Sequence, residues 1–198
     1  MGLTTEMRLP SATPKEGHHF TYVGKFRYAI TLPVHGAKPL FADGDVVRDV
    51  LGKLSDYSRT THFEIIAYCF LPDRLSLVVG GKEDTSDLRE FLRAFRGACT
   101  LPRAGGATAI ALWSRRYLER VVRKSEDLRA VVREIYRLPV TAGLSKTPAE
   151  YLYQGSFTGL GPGVTSPRGT GPRKTGSRFP AARRRQDGGK RGSRPGER

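Results

Sequence analysis

Between Phe26 and Val34 apolar and polar residues alternate, with aromatic and β-branched side chains on the apolar beat, and the run closes at His35-Gly36. A period of two predicts a strand that ends in a loop. The period then lengthens. Val46, Val47, Val50, Leu51 and Leu54 recur at three- and four-residue steps behind Asp43 and Asp45, which can cap a helix running to about Ser58. Phe63 to Leu71 is a nearly unbroken apolar run, and after Pro72-Asp73 a shorter one follows from Leu75 to Val79. Two central strands joined by a tight turn account for both. Ser86 or Asp87 opens a second helix, whose stripe of Leu88, Phe91, Leu92, Phe95 and Cys99 leaves Arg89, Arg93 and Arg96 together on another face.

Pro102 to Ala107 reads as a loop, and Ile110 to Val122 sets Trp113, Tyr117, Val121 and Val122 among basic residues as one bent strand or two short ones. Ser125 and Asp127 start a third helix with Leu128, Val131, Val132 and Ile135 on its apolar side, and Pro139 is expected to stop it. The order strand, helix, strand, strand, helix, strand, helix predicts an α+β domain, an antiparallel sheet with helices segregated to one face.

Charge changes the picture more than composition does. The 198 residues hold 34 Lys and Arg against 19 Asp and Glu, a formal charge of +15, which points to a polyanionic partner, nucleic acid first. Eleven of the basic residues, with only Asp187 and Glu197 opposing them, fall in 155–198 and give that segment +9, leaving +6 for 1–154. Dense in Gly, Pro, Ser and Thr, the segment is expected to be a disordered basic tail, with Arg183, Arg184 and Arg185 as its densest cluster. Residues 1–21 read as an irregular leader and 22–154 as the domain. The longest apolar run, Ile65 to Leu71, is too short to span a membrane, and the polar start lacks a signal peptide's apolar stretch, so a cytoplasmic protein is expected. Cys69 and Cys99 lie in apolar surroundings without C-x-x-C spacing, which reads as two buried free thiols.

Several segments together resemble the REP-associated tyrosine transposases, the single-tyrosine HUH transposases related to the smallest insertion sequences. The likeness spans about 26–154. It rests on Tyr28-Ala29-Ile30-Thr31-Leu32, Pro39-Leu40-Phe41, Ala67-Tyr68-Cys69-Phe70-Leu71-Pro72, Leu88 to Ala98, Leu112-Trp113 with Arg116-Tyr117, and Pro139-Val140-Thr141-Ala142-Gly143-Leu144. The resemblance implies a ferredoxin-like antiparallel sheet. It also implies a site in which a His-hydrophobic-His strand holds a divalent metal such as Mg²⁺ and a helix tyrosine attacks a phosphodiester. This chain departs from that pattern at each position. Arg74 and Ser76 stand where the histidines would be, Glu134 where the tyrosine would be, and Leu138 where the family's Asn precedes the proline. None of His18, His19, His35 and His62 falls at either imidazole position, so no metal or other cofactor is expected.

The resemblance and the charge together imply a transposase-like protein that binds single-stranded or hairpin DNA without cleaving it, as monomer or homodimer. Arg89, Arg93, Arg96, Arg115, Arg116, Arg183, Arg184 and Arg185 are the candidate phosphate contacts. Two other readings compete. One is an active nickase using Tyr136, although two residues along a helix turn that phenol by roughly 200° from position 134. The other is an RNA-binding protein stacking bases on Tyr28 or Tyr68. For the vacated site the expectation is a salt bridge from Arg74 to Glu134, within one chain or across a dimer if that helix swaps; the alternative leaves Arg74 turned to the surface and Glu134 solvated.

Overall fold

A computed structural model describes residues 21–101 and 110–162. The expected leader (up to residue 20), the Pro102 to Ala107 loop and the tail beyond Pro162 lie outside the described residues. Seven strands and three helices follow one another: β1 (Arg27–Pro33), α1 (Gly44–Thr60), β2 (Phe63–Leu71), β3 (Arg74–Gly81), α2 (Leu88–Ala98), β4 (Thr100–Leu101), β5 (Ile110–Ala111), β6 (Leu118–Val122), α3 (Leu128–Thr141) and β7 (Gln154–Gly155). The main sheet runs β6-β1-β3-β2-β7 with every neighbour antiparallel. Its first four strands have the order of two interleaved βαβ units, the ferredoxin-like arrangement. The Ile110 to Val122 stretch resolves into two short strands, β5 pairing with β4 apart from the main sheet.

Each helix begins on an aspartate that the sequence placed there. Asp43 accepts from Asp45 N at 2.8 Å, Asp87 from Arg89 N at 2.8 Å and Asp127 from Arg129 N at 2.9 Å, each satisfying a donor that the first turn leaves open. α1 and α2 cover one face of the sheet, where Val47, Val50, Leu54, Phe91, Leu92 and Phe95 meet Tyr28, Ile30, Leu32, Leu75, Leu77 and Val79. The third helix departs from the expectation of a single covered face. Val131, Val132 and Tyr136 of α3 pack with Ile66, Ala67, Val78 and Val122, whose side chains leave the opposite side of the strands. The reason is in β2, β3 and the pleat. Apolar residues occupy both alternating sets in these strands, so both faces need cover.

Pro139 does not stop α3, which continues to Thr141. A proline in the last turn forfeits one hydrogen bond there, and Ala142 N and Leu144 N still bond Leu138 O and Pro139 O at 2.9 and 2.8 Å. The domain also extends past residue 154. Gln154–Gly155 adds a strand to the β2 edge, and Phe157 N donates to Ile65 O at 3.0 Å, so 155–162 belong to the folded body. Those eight residues carry no charge, and the +9 stays with 163–198. Among the described residues no helix is long and apolar enough to cross a membrane.

Burial fixes the alkaline limit of stability. It pushes the Tyr28 phenol up to about 12, Cys69 to about 12 and Cys99 to about 11, and raises the Tyr136 phenol as well. The unfolded chain ionises these groups near their ordinary 9 and 10, so between those values and the folded ones it binds fewer protons than the native state. Stability is therefore fully present below about pH 9 and falls as pH rises, by about 1.4 kcal/mol per pH unit for each group in that window. A urea midpoint that drops between about pH 8.5 and about pH 11 is expected, and a constant one contradicts this.

Candidate nucleic-acid interface

The positions where family chemistry would lie occupy the face covered by α3. Register partners across a sheet share a face, so Ser76 lies between Thr31 and Cys69, and Arg74 between Pro33 and Leu71. Ser76 is buried, and its Oγ stands 3.5 Å from Thr31 Oγ1. Arg74 is exposed and its Nε donates to Asp73 Oδ1 at 3.0 Å. No ion pair within 4 Å joins Arg74 to Glu134; Glu134 is exposed on the outer side of α3. Within one chain the expected salt bridge is therefore corrected. The neighbouring Asp73 reaches Arg74 without ordering a long side chain across the cleft, and helix phase turns Glu134 toward water.

Two residues on, Tyr136 faces the sheet instead. Its phenol reaches Gly155 O at 2.9 Å and Leu160 O at 2.7 Å, is 4 % exposed, and is held by burial far above the ordinary tyrosine value. A phenol so placed ties the last strand to α3 and offers no phenolate near neutral pH. Guanidinium and neutral hydroxyl do not fit a divalent cation. Among the described residues no group of three or more His, Cys, Asp and Glu side chains could hold one.

On the opposite face, α2 and β6 frame an open cavity of about 480 Å³ lined by Arg89, Leu92, Arg93, Arg96, Tyr117 and Glu119. Helical spacing aligns the three arginines, and β6 supplies Glu119 from the register position opposite Ile30, on the α2 side. Arg89 stacks on Tyr22 and Arg96 on Tyr117, each with its guanidinium carbon 4.7 Å from the ring centroid. Tyr22 is held there by the chain before β1, since Leu88 N donates to Tyr22 O at 3.0 Å and Val23 bridges to Asp87. Gly81 allows that approach: a Cβ on it would strike the Gly24 carbonyl. Arg96 Nη2 donates to Ser114 O at 2.6 Å and Arg115 O at 3.3 Å, which fastens the exposed Arg115 and Arg116 beside the helix. Hydrogen bonding to Glu119 leads the causes that raise the Tyr22 phenol, and burial leads those that raise Tyr117, with the Glu119 charge adding to both.

Arg89, Arg93 and Arg96 thus line the groove and Arg115 and Arg116 are exposed on the segment that Arg96 holds, while Arg183, Arg184 and Arg185 lie outside the described residues. Tyr28 and Tyr68 are not available for stacking. Tyr28 is fully buried, and Tyr68 is half-buried against Phe70 and Phe157, because both point into the layer under α1 and α2. Tyr22, Tyr117 and Glu119 are the groove residues that sequence reasoning missed. The two-residue step from Tyr117 to Glu119 was the available signal, since it puts both on one side of a strand.

A REP-associated tyrosine transposase bound to a REP hairpin matches with a TM-score of 0.52 and 22 % identity, over 70 % of this chain and 81 % of that one. In fold, the chain resembles that transposase. A provisionally named transposase from Deinococcus radiodurans R1 is also 22 % identical, over 66 % of this chain and 98 % of its own, but its TM-score of 0.38 adds nothing to the argument. No protein-family model matches the sequence, and no curated protein is detectably similar to it.

Proposed function

We propose that this chain is a transposase-like protein that binds single-stranded or hairpin DNA and does not cleave it. The observation that carries the reading is the groove between α2 and β6, where three arginines stand in a row and two of them, Arg89 and Arg96, are held by tyrosine rings and backbone carbonyls. Guanidinium groups ordered before binding lose less freedom when they meet phosphate. The transposase of similar fold was captured on a REP hairpin, which favours DNA as the partner. Non-cleavage is supported by Arg74, Ser76 and Glu134 at the family's catalytic positions and by the engagement of Tyr136 with two carbonyls.

Anisotropy titrations of hairpin, single-stranded and duplex DNA and of a structured RNA, at one salt concentration, test this. Tighter binding of the hairpin or single strand is expected, and preference for the RNA would contradict it. Arg93→Ala should weaken binding of every DNA sequence about equally and lower the magnitude of the log–log salt slope on single strands by roughly 0.7. A slope unchanged by the substitution would remove Arg93 from the interface.

A further inference from the structure

The groove contains one group that a simple phosphate grip does not explain. Glu119 is a carboxylate that shares the cavity lining with three arginines. A site built only for a polyanion gains nothing from a negative charge there. No salt bridge within 4 Å joins Glu119 to Arg89, Arg93 or Arg96 among the described residues, so the arginines do not need it as a partner. Its carboxylate raises the titration of two neighbouring phenols, Tyr22 and Tyr117. Two tyrosine rings, each with a guanidinium stacked on it, therefore flank one carboxylate in a half-exposed trough.

Resting on the DNA-binding reading above, we infer that this groove takes one unpaired guanine of the bound strand, its donor edge on Glu119 and its adjoining phosphate on the arginines. The chemistry selects the base. A carboxylate accepts only, and among the four bases guanine alone offers a ring N–H and an amino group side by side, a bidentate match for two carboxylate oxygens. The same base presents O6 and N7 as acceptors, which are the atoms that arginine recognises best. Adenine and cytosine would give Glu119 only an amino group, and thymine a single ring N–H. The stacked guanidinium and tyrosine planes supply a surface on which an unstacked base can lie. A volume of about 480 Å³ falls within the range of roughly 300–1,000 Å³ typical of small-molecule sites, enough for one nucleotide.

The test uses the full chain and short oligothymidylates carrying one central guanine, inosine, adenine or cytosine, with free guanosine 5′-monophosphate as a separate arm. The guanine oligomer should bind roughly tenfold more tightly than the others, inosine losing most of the gain because it lacks the amino group. In Glu119→Gln the four affinities should converge to within about twofold. The inosine comparison needs no variant, so it stands if the substitution disturbs folding. Equal affinities for all four bases, or a preference for cytosine, overturn the inference and leave the DNA-binding reading intact. Absence of binding to any oligomer overturns both. Free guanosine monophosphate binding as tightly as the guanine oligomer would overturn the assignment to a strand.

Discussion

Truncation after Pro162 should flatten the salt dependence of the proposed DNA binding more than any single substitution. The segment removed holds +9 of the +15, and the cut leaves β7, Phe157 and Leu160 in place on the sheet and on Tyr136. Each phosphate neutralised on duplex DNA adds about −0.9 to the log–log slope, so a tail engaging six or more phosphates makes affinity fall by roughly 10³ or more between 50 and 200 mM salt. The truncated chain, relying on the three α2 arginines, should lose roughly tenfold to a hundredfold over the same range. Cutting at residue 154 would be a poorer experiment. It would expose the β2 edge and leave the Tyr136 phenol without Gly155 O and Leu160 O, so a lost fold could be mistaken for a lost contact. Equal slopes for the two chains would make the tail an inert extension.

Phe91→Ala should produce the largest loss of stability. The side chain is fully buried on α2, stacked on Phe63 with centroids 5.1 Å apart and on Phe95 at 6.0 Å. Removing a buried phenyl ring costs about 3–5 kcal/mol, from lost transfer energy and from the cavity that rigid neighbours cannot close. At about 2–4 °C per kcal/mol for a chain of this size, the melting temperature should fall by roughly 6–20 °C. The effect reaches function because Phe91 seats the helix whose other face carries Arg89, Arg93 and Arg96. By contrast Arg93→Ala, on the exposed side of the same helix, should stay within about 0.5 kcal/mol of the parent. A loss below about 1 kcal/mol for Phe91→Ala would mean that α2 is not anchored through this ring.

Much of the fold is legible in the periodicity because short-range chemistry and long-range burial agree. Asp43, Asp87 and Asp127 mark helix starts, and the β2 and β3 runs mark strands buried on both faces. The same two-faced burial was the clue that α3 belongs on the far side, yet a helix stripe gives its own apolar direction and not which side of a sheet will receive it. Pro139 misleads for a related reason: its cost depends on how near the helix end it falls, which is set by packing. The groove was half visible. Arg89, Arg93 and Arg96 align within one helix, whereas Tyr22 and Glu119 reach them from segments far away in the chain through the Val23–Asp87 bridge and the β1–β6 register. Within one chain the Arg74 to Glu134 pairing failed on helix phase, which the roughly 200° between positions 134 and 136 could have resolved by asking which of them shares the stripe of Val131, Val132 and Ile135.

One measurement bears most directly on binding without cleavage. End-labelled single-stranded and hairpin DNA is incubated with the full chain and Mg²⁺ or Mn²⁺, then split between a native gel, a denaturing gel and mass spectrometry of the protein. A retarded complex on the native gel, intact DNA on the denaturing gel and unmodified protein are expected. A nicked strand that depends on the metal, with an oligonucleotide covalently attached to Tyr136, would contradict it.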